Sequence, residues 1–491
     1  MSTAPSTPAA AADANAAESP DSPLARGLST RHIRFIALGT AIGTGLFLGS
    51  ASAIQLAGPA VLLAYLAAGA ATYVVMRAMA EMVLRTPDAS SFVDFTQHYL
   101  GRTWGFVIGW IFTAEMLLVG IADVTALRIY LGSWWPAVPG WVWMVGTIAL
   151  VLVLNLVAVR LFGETEFWLT LLKVGAIVAM VVLGVGLLVT GAGLPTGQPS
   201  VTHLWENGGF APHGAWGILL SLTVVVFAFG GIETVGLTAA ESQNPHRSIP
   251  GAINTVPWRI LLFYVGSVGV MLTLAPWTGI TGEQSPFVQI IDAVGLPAAA
   301  HVLNAVVIIA AFSALNAITF AIGRTLFGLA AAGHAPAVFG RVSVRGVPGA
   351  AIVTVCVALV IGLVLNLVVP ERVFTLVASL ASFATVFVWL LILAAHHGLR
   401  RRIARGALRP GAFATPGWPW VTALAAAFLV LVLVMMAFLP EGRAALAVGV
   451  ITTALLAGLG HLSSRRSDGS SGGSSDGDRS QKGHGHPELV S

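Results

Sequence analysis

Apolar runs of about 20 residues, separated by short polar connections, fill the chain from residue 33 to residue 462. That length is what an α-helix needs to cross a bilayer. Spans are expected near 33–55, 59–82, 104–131, 141–160, 166–189 and 215–240. A second set follows near 257–277, 298–330, 350–369, 372–397, 416–438 and 442–462. The pattern predicts an all-α integral membrane protein with 12 transmembrane helices over a domain spanning 26–462. Residues 1–25 lack aromatics and periodicity, and 463–491 are rich in Ser, Gly and Asp, so both read as disordered tails.

Two of the runs are interrupted. Gly39, Gly43 and Gly45 lie within seven residues of the first. Each glycine costs roughly 1 kcal/mol against alanine inside a helix. The sixth run contains Phe227-Ala228-Phe229-Gly230-Gly231-Ile232-Glu233. Broken backbone at membrane depth is tolerated where it lines a cavity or is buried in protein. A matching pair of glycine-interrupted spans in two halves of a chain points to the substrate site of a secondary transporter. At Ile42, Gly43, Thr44 and Gly45 a half-helix offers free N–H groups and a positive dipole end, which suits a carboxylate. Around Phe227, Ala228, Phe229, Gly230 and Gly231, freed carbonyls can accept hydrogen bonds from an ammonium. Together these describe a zwitterion held by its two backbone ends. Phe227 or Phe229 reads either as a gate over it or as apolar packing. Ser313 and Asn316, in the eighth run, are cavity lining or packing between helices.

Composition agrees with burial in lipid: the chain is 56% hydrophobic and 9% charged, against about 25% charged in soluble domains. No cleavable signal is expected at the start. The single cysteine, Cys356, excludes an internal disulfide and reads as a small buried residue. A net charge of +4 would suggest nucleic acid in a soluble protein; here it reflects loop arginines that set topology. With twelve spans, Arg26, Arg31, Arg34, Arg85, Arg102, Arg160, Arg247, Arg259, Arg341, Arg345 and the run Arg400-Arg401-Arg402 fall on the side of both tails. The opposite loops hold little beyond Arg372 and Arg443, and 190–214 and 278–297 hold no Lys or Arg. Both termini are therefore expected in the cytoplasm, with the chain crossing the cell membrane repeatedly. Trp134, Trp135, Trp141 and Trp143 read as an interfacial aromatic belt. His396-His397 and the arginines beyond read as a helix end touching anionic lipid. His484 and His486 carry no metal reading.

Ionisable residues inside spans are functional candidates by default. Lys173, one of only two lysines, lies in the fifth run. It either snorkels to the interface or faces the bundle as a charge able to load and release a proton. Glu115 lies in the middle of the third run, as a proton carrier or a partner of Lys173. Asp123, eight residues on and on roughly the same face, reads as facing the central cavity, as paired with Arg128 or as a structural hydrogen-bonding group near the outer surface. Glu233 either accepts hydrogen bonds from amides freed at its break or couples to protons. No soluble-enzyme motif survives: the glycines at 39–49 lack a strand–turn–helix context, and there is no P-loop lysine. Neither a cofactor nor a metal is expected.

Several motifs now converge. Arg26-Gly27-Leu28-Ser29-Thr30-Arg31-His32-Ile33 leads into Ile42-Gly43-Thr44-Gly45-Leu46-Phe47-Leu48-Gly49-Ser50. Met76-Arg77-Ala78-Met79-Ala80-Glu81-Met82, Gly163-Glu164-Thr165-Glu166-Phe167-Trp168, Phe229-Gly230-Gly231-Ile232-Glu233 with Ala239-Ala240-Glu241, and Gly323-Arg324-Thr325-Leu326-Phe327 follow. Over roughly 26–405 the chain resembles the amino acid transporter family of the amino acid–polyamine–organocation superfamily, most closely its proline-type and threonine/serine-type permeases. The resemblance implies the LeuT-type fold, with discontinuous helices 1 and 6. Spans over 33–189 and 215–397 would be inverted repeats, and 416–462 peripheral. It also implies proton-coupled import of a small neutral amino acid by alternating access, with the lysine of the fifth span, here Lys173, in place of a sodium site. The third and eighth spans depart from the family pattern at Trp110–Glu115, Asp123 and Ser313–Ala317, which leaves substrate identity open. An exchanger of the same fold is the alternative. A sensor, a channel and a membrane-embedded enzyme fit the sequence less well, since it has short tails, no continuous polar lining and no catalytic constellation.

Overall fold

The computed structural model describes residues 42–85, 92–157, 159–191, 198–234, 245–343, 346–409, 411 and 413–471. The expectations placed on 1–41, on Ala239-Ala240-Glu241, on Arg345 and on 472–491, with His484 and His486, lie outside the described residues.

The described residues are helical, with no strand among them. After α1 (Thr44–Phe47) come α2 (Gly49–Ala57), α3 (Val61–Val83), α4 (Phe92–Leu100), α5 (Arg102–Trp134), α6 (Gly140–Val157) and α7 (Val159–Thr190). The second half holds α8 (Gly214–Val225), α9 (Ile249–Leu274), α10 (Pro286–Ala293), α11 (Pro297–Ala331), α12 (Gly349–Val368) and α13 (Val373–Ala404). Last are α14 (Trp420–Met436) and α15 (Pro440–Ser471).

Nine helices among the described residues are long and apolar enough to cross a membrane, and Gly214–Phe229 and Trp420–Met436 are shorter apolar helices. The first long stretch, Gly49–Val83, is divided at Gly58, whose φ of +60° and whose approach to Pro212 require a glycine. α13 outruns its expected end at residue 397, because the basic residues Arg401 and Arg402 favour the negative end of a helix and extend it. α15 likewise continues to Ser471, past the boundary expected at 462.

Burial separates a centre from a shell. In α11 and α13, 72% of the apolar window lies inside the protein, against 22% in the span Gly163–Thr190 within α7 and 17% in α15. α5 packs along both α11 and α13, so these three form the axis of the bundle. The shell points large apolar side chains outward, with Val189, Trp168, Leu367 and Trp420 more than half exposed. Water would not tolerate so much apolar surface; lipid does.

One end of the bundle is tied by a buried carboxylate. Glu81, at the end of α3, accepts the N–H of Thr415 at 2.7 Å. It also faces His396 Nε2 at 3.0 Å and pairs with Arg400 Nε at 3.1 Å. Arg77, one turn back on α3, donates to the Ala414 carbonyl and lies over the Phe413 ring. The connection between α13 and α14 is thus strapped to α3. His396 is fully buried in this cluster, which corrects the expectation that it meets lipid.

Candidate functional site

Among the described residues the chain is non-helical at both expected places, and the two places meet. Gly43 is extended (φ −127°, ψ −162°) and α1 follows it. In the second break α8 passes into a 3-10 turn, Val226–Phe229, and the chain leaves helical geometry at Gly230 (φ −57°, ψ +145°) and Gly231 (φ +89°). A methyl group added to Gly45 would lie 2.5 Å from the Ala228 Cα. The two broken helices therefore cross backbone to backbone, and only glycine allows it.

A cavity opens beside this crossing, lined by Gly43, Thr44, Gly45, Phe227, Ala228, Gly230, Gly231 and Thr234 from the breaks. Val119 and Asp123 of α5 and Ala314 and Ile318 of α11 complete its wall.

Not every residue singled out from the sequence reaches this wall. Ile42 is buried behind it. Phe229 stacks on Tyr264 with centroids 4.4 Å apart and also packs against Tyr65. Tyr264 lies in a π-helical turn of α9, Ile260–Gly266, and its hydroxyl donates to the Ala228 carbonyl at 2.8 Å. One carbonyl expected to meet an ammonium is thereby engaged by the protein itself. Ser313 is also absent from the wall: it accepts from Lys173 Nζ at 2.9 Å and donates to Glu166 Oε1 at 2.6 Å. Asn316 accepts from Asn155 of α6 at 2.8 Å and so joins two helices.

The ionisable candidates form two separate groups, all fully buried. In the first, Lys173 faces the bundle rather than the interface, with Nζ 3.7 Å from Glu166 Oε1. Asp123 lies close enough to feel its charge. Asp123 makes no ion pair with Arg128; its Oδ1 accepts the Thr44 hydroxyl at 2.6 Å. In the second group, Glu115 Oε1 accepts from Thr385 Oγ1 at 2.6 Å, and its carboxyl adjoins that of Glu233 rather than Lys173. Glu233 Oε1 accepts the Gly231 N–H at 3.1 Å and Oε2 accepts the Trp389 indole at 3.1 Å. Both oxygens of Glu233 accept hydrogen bonds from outside the pair, whereas Glu115 Oε2 has no hydrogen-bond partner.

Sequence reasoning missed Glu166, Thr385, Trp389 and the apolar wall residues. Glu166 had a usable signal, since it and Lys173 are seven residues apart and share one helix face two turns along. Thr385 and Trp389 had none, because an apolar helix buried on all sides does not reveal which face meets a carboxylate.

Comparison with known proteins agrees with this geometry. Residues 32–461 match the amino acid permease family. The amino acid permease YtnA of Bacillus subtilis is 42% identical over 428 residues, covering 87% of this chain and 92% of that protein. The amino-acid permease AapA of Bacillus subtilis is 41% identical over 445 residues, covering 90% and 96%. The aromatic amino acid transport protein AroP of Escherichia coli strain K12 is 42% identical over 441 residues, covering 89% and 95%. Fold and site together define a multi-pass membrane transporter rather than an enzyme. The chain belongs to the amino acid permease family, whose substrates are small-molecule amino acids.

Proposed function

We propose that this permease imports an amino acid across the cytoplasmic membrane by proton-coupled alternating access. The observation that carries the reading is the backbone-to-backbone meeting of two helix interruptions beside a cavity that their residues line. The first N–H groups of the turn that follows Gly43 suit the substrate carboxylate. The Gly230 carbonyl suits the ammonium, since those of Phe227, Ala228, Phe229 and Gly231 already accept hydrogen bonds within the protein. Twelve spans, a five-plus-five inverted repeat and cytoplasmic termini belong to the same reading, with Lys173, Glu115 and Glu233 as proton-coupling groups.

Val119, Ala314 and Ile318 are apolar and Asp123, the ionisable residue of the wall, is engaged by Thr44, which favours a neutral side chain such as that of proline, threonine or serine. An aromatic amino acid is the second reading, favoured by that apolar wall and by the identity to AroP. The deciding experiment is uptake of labelled proline, threonine, serine, alanine and phenylalanine into proteoliposomes under an inward proton gradient, with no internal amino acid. Concentrative uptake of one of them, collapsed by an uncoupler, is the expected result. Uptake that appears only after preloading with amino acid would make the protein an exchanger.

A further inference from the structure

Lys173 pairs with Glu166, a buried carboxyl away from the cavity wall that has no part in the reading above. α7 holds Glu166 and Lys173 on one face, and both are completely inaccessible. Ser313 of α11 lies between them: its oxygen accepts from Nζ and its own hydroxyl donates to Glu166 Oε1. Thr170 also donates to Oε1, at 3.3 Å, whereas Oε2 has no hydrogen-bond partner. On the other side, Asp123 lines the cavity wall with Thr44 and with Ala314, the neighbour of Ser313 on α11; its Oδ2 is likewise without a hydrogen-bond partner. Tyr130, further along α5, faces Asp123. The other elements packed on α7 are α6 and the segment Ser267–Leu274 of α9, and neither carries an ionisable residue.

Two carboxylates and one ammonium leave this enclosed cluster with a formal charge of −1. An unbalanced charge away from water is costly, and uptake of one proton removes it. We propose that Asp123, Lys173 and Glu166 form one proton site, with Asp123 as its cavity end, Glu166 as its far end and Ser313 as the relay between Lys173 and Glu166. The step balances without a further reactant. Asp123 loses its proton on the cavity side and Nζ takes one up as the lysine ammonium gives one to Ser313 Oγ. The Ser313 hydroxyl proton then passes to Glu166 Oε1. Asp123 ends as carboxylate, Lys173 as ammonium, Ser313 as hydroxyl and Glu166 as carboxylic acid. The hydrogen bonds at Ser313 already run in the direction this transfer needs.

The inference rests on proton coupling, so the test separates the two. Wild-type protein, Glu166→Gln, Glu166→Asp and Ser313→Ala are reconstituted, and each is assayed for uphill uptake under a pH gradient and for counterflow between labelled and unlabelled amino acid. Both assays are run across a pH series. Glu166→Gln is expected to lose uphill accumulation by tenfold or more while counterflow continues and loses its pH dependence. Ser313→Ala is expected to slow gradient-driven uptake more than counterflow. Glu166→Gln accumulation with the wild-type pH profile would overturn the assignment of Glu166. Should Glu166→Gln fail in both assays, Glu166→Asp decides: a shifted pH profile supports the site and an unshifted one overturns it. Failure of the wild-type protein itself to accumulate would remove proton coupling and this site with it.

Discussion

Gly43 and Gly45 lie two residues apart in the same break yet carry different constraints. Gly43 has an extended backbone that any residue adopts, and a methyl group there would meet Ala314 Cβ at an ordinary 3.5 Å. The same methyl on Gly45 would press on the Ala228 backbone at 2.5 Å. Overpacking of this kind costs about 1–3 kcal/mol, and the damage falls on the cavity wall. Gly45→Ala should therefore reduce the initial rate of uptake roughly tenfold, the equivalent of about 1.4 kcal/mol. Gly43→Ala should stay within about threefold of wild type, roughly 0.7 kcal/mol on the same scale. Equal losses would show that the crossing is not the constraint. Thr44→Val tests the neighbouring bond. It strips the hydroxyl from a buried carboxylate and should cost about 1–3 kcal/mol, read as a lower melting temperature in detergent that Thr44→Ser restores. At this scale sequence reading found the glycines and Lys173, because both are chemically conspicuous in an apolar run. It misplaced Ser313 as cavity lining, since the apolar residues surrounding it on α11 hide which face meets α7.

At the level of elements, most helices lie within a few residues of where the apolar pattern puts them, since lipid enforces span length directly. The strap at Glu81 was invisible, because its partners are 315 and 334 residues distant in sequence. His396, followed by His397 and three arginines after Leu399, looks like surface, and only the packing of α13 on α3 shows otherwise. Glu81→Ala would leave a buried His396, the Arg400 guanidinium and the Thr415 amide without their acceptor. Removing one member of a buried charged cluster costs about 3–5 kcal/mol. The melting temperature of purified protein should fall by several degrees, with Glu81→Gln intermediate. An unchanged melting curve would mean that the α13–α14 connection is held by other contacts, such as Arg77 on Phe413.

For the molecule as a whole, the single cysteine provides a topological probe. Cys356 is 3% exposed, so the native protein should resist maleimide and react only after denaturation. Cys356→Ala then gives a silent background for Ser2→Cys and Ser491→Cys. Both should be labelled by an impermeant maleimide only after the membrane is opened; labelling of one in intact cells would break the even span count. The crossing of Gly45 over Ala228 has a further consequence, for the protein's mutational history. The obstructing atom is a Cα, which every residue possesses, so Ala228→Gly cannot rescue Gly45→Ala. Suppressors of that lesion must instead arise where the backbone of either broken helix can be displaced as a unit. The two breaks are therefore inherited as one object, and neither can drift alone.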